Sequence, residues 1–182
     1  MTQTPHLYVV LLRAIGPVTH RLMSMTDWRD ASAEAGFVEP ETLVNTGNMI
    51  AGFPGTAAEA TRTMTAVLRG FGLGDNVVPI LRTPGLIKKL IKADPIAGAK
   101  PAETAVFFFD RKAPDFSWLA DYVGPEKTHV VQDHLVVDFS QDVAKSARLI
   151  RQIDKNCGLN TSRNWNSVRR IADSCAARGK TA

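Results

Sequence analysis

The chain has 182 residues, of which 45% are hydrophobic and 22% charged, with a net charge of +4 and a mean hydropathy of -0.08. That balance excludes a globally disordered chain, and no apolar run approaches the ~18 residues of a membrane span. The first residues carry no basic stretch followed by an apolar one, and Cys157 and Cys175 fit no metal or redox spacing, so a reduced, cytoplasmic protein is expected.

Leu7 to Leu12 is a continuous apolar run of strand length, suited to a central strand buried on both faces. Gly16-Pro17 punctuates the loop after it. Ser24 and Asp27 form a capping pair, and the helix they start carries Met25, Trp28 and Ala35 on one side and stops at Gly36. Thr42 to Val44 predicts a strand, Asn45-Thr46-Gly47-Asn48 a turn, and Met49 to Gly52 the returning strand. Thr56 and Glu59 make a capping box for a helix with Ala60, Met64, Val67, Leu68 and Phe71 at helical spacing, ended by glycines 70, 72 and 74. Val77 to Leu81 is the next strand. The order is then β-α-β-β-α-β, that of a ferredoxin-like domain.

Thr83-Pro84 predicts a short helix to about Lys92, stopped by Asp94-Pro95, with a linker over residues 97–102. Thr104 to Phe109 is a β-prone run. Pro114-Asp115 opens a short helix bearing Phe116, Trp118 and Leu119, and Lys127 to Phe139 predicts a hairpin turning at Gln132-Asp133. Ser140 is expected to cap a helix to Cys157, and Thr161 or Ser162 to cap a last one to about Ala177. The fold class read from this order is α+β: a ferredoxin-like domain over residues 1–94, then a smaller basic α+β domain over residues 103–182 that ends in a helical pair.

Several of these segments resemble one bacterial family. Leu11-Leu12-Arg13, the helix Met25 to Phe37, the Thr46-Gly47-Asn48 turn and above all Arg163-Asn164-Trp165-Asn166 resemble, in order, the motifs of the domain of unknown function 1697 family. Ala14 and Gly16 depart from its opening motif. The resemblance implies an α+β architecture with two small domains and brings no reaction with it.

Charge is uneven. Residues 145–182 hold nine Lys/Arg against two Asp/Glu, whereas residues 92–144 hold five against nine. The predicted start of the last helix is a natural anion site, because its first N–H groups are unpaired and the dipole end is positive. Arg163, Asn166, Ser167 and Arg170 share one face there, opposite Trp165, Val168, Ala172 and Cys175. A right-handed crossover makes the first two strands parallel, bringing Arg13 to the sheet edge that carries Asn45, Thr46 and Asn48. These eight residues are the candidate site for a small phosphate- or carboxylate-bearing ligand. The plainer readings are a helix lock and an ordinary hairpin turn.

A basic stripe of Lys145, Arg148, Arg151 and Lys155, with Arg169, Arg170 and Arg178, is the alternative: nucleic-acid binding through residues 145–182. No nucleic-acid motif accompanies it. A third reading is a structural or partner-binding protein with no ligand. His129, His134 and Asp138 share a strand face without zinc-type spacing, so no metal is expected, and no cofactor motif is present. The sequence names no catalytic residue, general base or oligomeric state.

Overall fold

The computed structural model describes residues 4–179. They form two compact units, the first reaching Gly85 and taking in the chain from Ser174 onward, the second running from Leu86 to Asp173.

The first unit is built on β1 (His6–Leu12), with β2 (Val38–Leu43), β3 (Asn48–Phe53) and β4 (Pro79–Arg82). The sheet order is β2-β3-β1-β4, antiparallel throughout, which is the ferredoxin-like order expected from β-α-β-β-α-β. The apolar run lies in the centre, and Tyr8 through Leu12 are all buried.

Three helices belong to this part of the chain. The Gly16-Pro17 loop contains α1 (Pro17–Leu22), which the sequence reading missed; it buries none of its residues and so has no apolar stripe to detect. In α2 (Met25–Glu34) the Ser24 Oγ accepts from the Asp27 amide at 3.0 Å while Asp27 Oδ2 accepts from the Ser24 amide at 3.1 Å. Its buried side is Trp28 and Ser32; Ala35, expected there, lies past the helix end and is exposed. The same reciprocal cap joins Thr56 and Glu59 at the start of α3 (Ala57–Gly70), which buries Ala60, Met64 and Leu68. The Trp28 indole donates to Met64 Sδ at 3.2 Å, so the largest side chain of this core has its polar atom satisfied inside it.

After α4 (Pro84–Ala93) the second unit's sheet contains β5 (Thr104–Phe109), β6 (Lys127–Val131), β7 (His134–Asp138) and β8 (Asn160–Asn164). Their order, β6-β7-β5-β8, is again antiparallel and again the ferredoxin-like one. The hairpin turns at Gln132 and Asp133, both at positive φ, as expected. Ser117–Asp121 is a short 3₁₀ helix that takes the place of the first crossover helix. A core of Phe107, Phe109, Leu135, Val137 and Phe139 lies under α5 (Ala147–Cys157), which contributes Leu149, Ile153 and Cys157.

Two expectations are corrected here. Ser140 does not cap α5. It sits at φ 56°, Asp142 caps a 3₁₀ turn over Val143–Ser146 by accepting from the Ala144 amide, and α5 begins only at Ala147. Thr161 and Ser162 do not cap the last helix either. They belong to β8, where Thr161 pairs with Phe108 and Arg163 with Val106, and α6 (Trp165–Arg178) follows β8 directly. Within the first unit, Arg178 at the end of α6 donates to the Ile50 carbonyl at 2.9 Å and lies 3.6 Å from the Glu39 carboxylate. Lys180 of the basic end lies outside the described residues. Among the described residues no helix is long and apolar enough to cross a membrane.

Candidate functional site

The eight predicted residues divide between the units. At the edge of the first sheet, the Leu12 amide donates to the Gly47 carbonyl at 2.8 Å, so the β2–β3 turn does meet the end of β1. Asn48 is fully buried, and its side-chain amide donates to the Leu43 carbonyl (3.0 Å) and to Thr46 Oγ1 (2.9 Å). It closes the hairpin from inside. Asn45 and Thr46 are exposed at the tip. Arg13 turns away from this hairpin: its Nη1 donates to the Asn76 carbonyl at 3.0 Å, and its amide to the Val78 carbonyl at 2.9 Å. Its guanidinium therefore braces the loop before β4.

In the second unit, β8 alternates in burial. Thr161 and Arg163 face in, while Ser162 and Asn164 face out. Arg163 retains 7% of its surface and donates through Nη1 to Thr161 Oγ1 (2.6 Å) and to the Ser162 carbonyl (2.8 Å). Burial pushes its ionisation down to about 10, because a desolvated guanidinium is less stable charged than a hydrated one. Asn164 caps α6, its Oδ1 accepting from the Ser167 amide at 2.8 Å. The helix end expected to attract an anion thus already holds a side-chain oxygen. Asn166 and Arg170 are exposed on α6, Ser167 is half-buried, and Trp165, Val168, Ile171 and Cys175 form the buried side. Arg163 belongs to the inner face of the strand and so does not share a face with Asn166 and Arg170. The helical placement of Arg163 is corrected accordingly.

The basic stripe is accessible. Lys145, in the 3₁₀ turn, and Arg148, Arg151 and Lys155, on α5, are all exposed, opposite the buried Leu149, Ile153 and Cys157. Arg169 is exposed as well, whereas Arg178 is engaged at Ile50 and Glu39. On the hairpin, Lys127, His129, His134 and Asp138 occupy one face as expected, with His134 buried edge-on to Phe108 at 5.2 Å. Among the described residues no group of three His, Cys, Asp or Glu is placed to hold a metal ion. Burial raises both thiols, Cys175 to about 11, which disfavours a nucleophilic thiolate.

Among the clefts of the first unit are two that no sequence motif announced. One, of about 410 Å³, is lined by His6, Tyr8, Thr56, Glu59, Thr83 and Pro84. The Glu59 carboxylate takes up the start of α3 there, and the Thr56 hydrogen bonds hold it below the ordinary glutamate range, so this cleft already carries its own anion. The other, of about 380 Å³, lies between α1 and the loop over residues 72–77, next to Arg13. Neither had a motif to announce it, since backbone and apolar groups dominate the second and cap residues the first.

Two antiparallel four-stranded sheets of ferredoxin-like order, with their helices, define a mixed α+β protein. Residues 6–135 match the family described as "Protein of unknown function (DUF1697)", and the chain belongs to that family. The matched span stops before β8 and α6. The chain is also similar to a solved structure, the conserved bacterial protein SP0830 from Streptococcus pneumoniae, with a TM-score of 0.74 and 14% identity over 95% of this chain and 99% of that one. At that identity the likeness is one of fold. No curated protein matches the chain.

Proposed function

We propose that this protein binds a phosphate-bearing anion through its second unit, on the face formed by Lys145, Arg148, Arg151 and Lys155. The accessible charge carries the reading: all four are exposed, and none is ion-paired among the described residues. The α5 part of the stripe, Arg148 to Lys155, is about 10 Å long at 1.5 Å per residue, and Lys145 extends it into the preceding turn. That length suits an extended polyanion with several phosphates better than a compact ligand.

A compact anion held at Arg163 on the inner face of β8 is the second reading. The observation in its favour is a desolvated positive charge fixed by Thr161, since such a charge attracts an anion more strongly than a hydrated one. Against it stands the nearly complete burial of Arg163.

The test is a titration of a labelled oligonucleotide by fluorescence anisotropy at several salt concentrations. Four phosphate contacts should give a log–log slope of roughly -3, at about -0.7 per contact for a single strand. Charge reversal by Arg151→Glu with Lys155→Glu should abolish binding. Affinity indifferent to salt and to the reversal would sink the stripe. A thermal shift by a sugar phosphate that is lost in Arg163→Lys and kept in the charge-reversed variant would select the compact site.

A further inference from the structure

The geometry points to single-stranded nucleic acid as the ligand, with bases stacking on the Trp118–Tyr122–Arg148 cluster beside the α5 cations; this rests on the reading above. Arg148 belongs to both features. It is a member of the exposed stripe, and its guanidinium carbon lies 5.4 Å from the centre of the Tyr122 ring. Trp118 meets Tyr122 edge to face, with ring centres 6.0 Å apart. Both aromatic rings are only partly buried, and Val123 beside them is 77% exposed.

The polar edges of the cluster are already tied down. The Trp118 indole donates to the Asp115 carbonyl at 3.0 Å, the Tyr122 hydroxyl to Glu126 Oε2 at 3.1 Å, and Arg148 Nη1 to the Val123 carbonyl at 3.4 Å. The rings are thus held in place before any ligand arrives, which lowers the ordering cost of stacking. Asp115 accepts from Ser117 and Glu126 from Tyr122, and both carboxylates keep their negative charge, which repels a phosphate chain from that edge of the rings and toward the α5 cations. The sheet offers no such platform, because Phe107, Phe108 and Phe109 are all buried. A polyanion lying along α5 would pass a planar cation and two aromatic rings. Unpaired bases expose faces that can use them, and a duplex hides those faces.

The chain contains a built-in reporter. Of its three tryptophans Trp28 and Trp165 are buried, and Trp118 alone is partly open. The experiment titrates the protein with a 12-residue oligothymidylate, with the same length of duplex DNA and with inorganic polyphosphate, reading tryptophan emission and competition binding. The single strand should quench emission, with the quench absent in Trp118→Phe, and should bind more tightly than duplex. Arg148→Lys keeps the charge and loses the plane; it should weaken single-strand binding by about tenfold and polyphosphate binding by much less than that. Equal binding of all three polyanions without quenching, or an Arg148→Lys variant indistinguishable from wild type, overturns the stacking inference and leaves the anion reading standing. Failure of all three to bind overturns both.

Discussion

The Asn164 side-chain oxygen accepts a hydrogen bond from the Ser167 amide at 2.8 Å, one residue after the inward-facing Arg163. The last residue of a strand is therefore also the cap of the next helix. Asn164→Ala should cost about 1 kcal/mol, seen as a Tm lower by roughly 2–4 °C, with oligonucleotide affinity unchanged. Asn164→Asp should restore most of the stability. A neutral Asn164→Ala would mean that the hydrogen bond does not hold the helix start.

Gly47 has φ 77°, and a Cβ there would come within 2.9 Å of Leu12 Cβ and 2.8 Å of Ile15 Cγ1. Gly47→Ala combines a left-handed backbone with a clash against fixed core atoms. A loss of roughly 2–4 kcal/mol in urea unfolding is expected from strain plus overpacking. An Asn48→Ala comparison tests the same turn from inside, since it removes the bonds to Leu43 and Thr46.

Met64 is both core filler and acceptor for the Trp28 indole, and it lies 3.8 Å from the Ser32 hydroxyl. Met64→Leu keeps the volume and loses the sulfur. A volume-conserving swap alone costs under about 1.5 kcal/mol; leaving a buried N–H unsatisfied adds about 1–3 kcal/mol. A shift of Trp28 fluorescence together with the larger loss would mark the sulfur as the acceptor that matters.

Glu59 is held below the ordinary glutamate range by the Thr56 amide first and the Thr56 hydroxyl second. A depressed carboxylate stabilises the fold above roughly pH 4.3, and that contribution is lost as the pH falls through its lower, folded-state value. Glu59→Gln keeps a capping-box residue without the titration. Its stability deficit against wild type should be largest near neutrality and shrink toward pH 3 in paired denaturation curves. A deficit constant with pH would place the effect outside the carboxylate.

The parts of the fold written in apolar periodicity or cap chemistry were legible in the sequence: β1, the Ser24–Asp27 and Thr56–Glu59 caps, and the Gln132-Asp133 hairpin. What escaped was written in neither. The inward residues of β8 are Thr161 and Arg163, so its alternation is polar on both faces and looks like a cap sequence. α1 buries nothing. The site reading suffered from the first of these, because a helix in place of a strand put Arg163 on the wrong face. The turn around Asn48 was legible as a turn, while its burial and the diversion of Arg13 to Asn76 depend on tertiary packing that spacing does not reveal.

The direct passage from β8 to α6, Asn164 to Trp165, leaves no spare residue between a two-residue period and a 3.6-residue one. The junction works as a phase lock. Inserting one residue there would rotate the helix by about 100° relative to the strand. Trp165, Val168, Ile171 and Cys175 would swing out together, or Thr161 and Arg163 would be forced to change faces. Chains that keep this architecture should therefore vary in length at the Asn45–Thr46 tip or beyond Val123 and hold this joint to a fixed length.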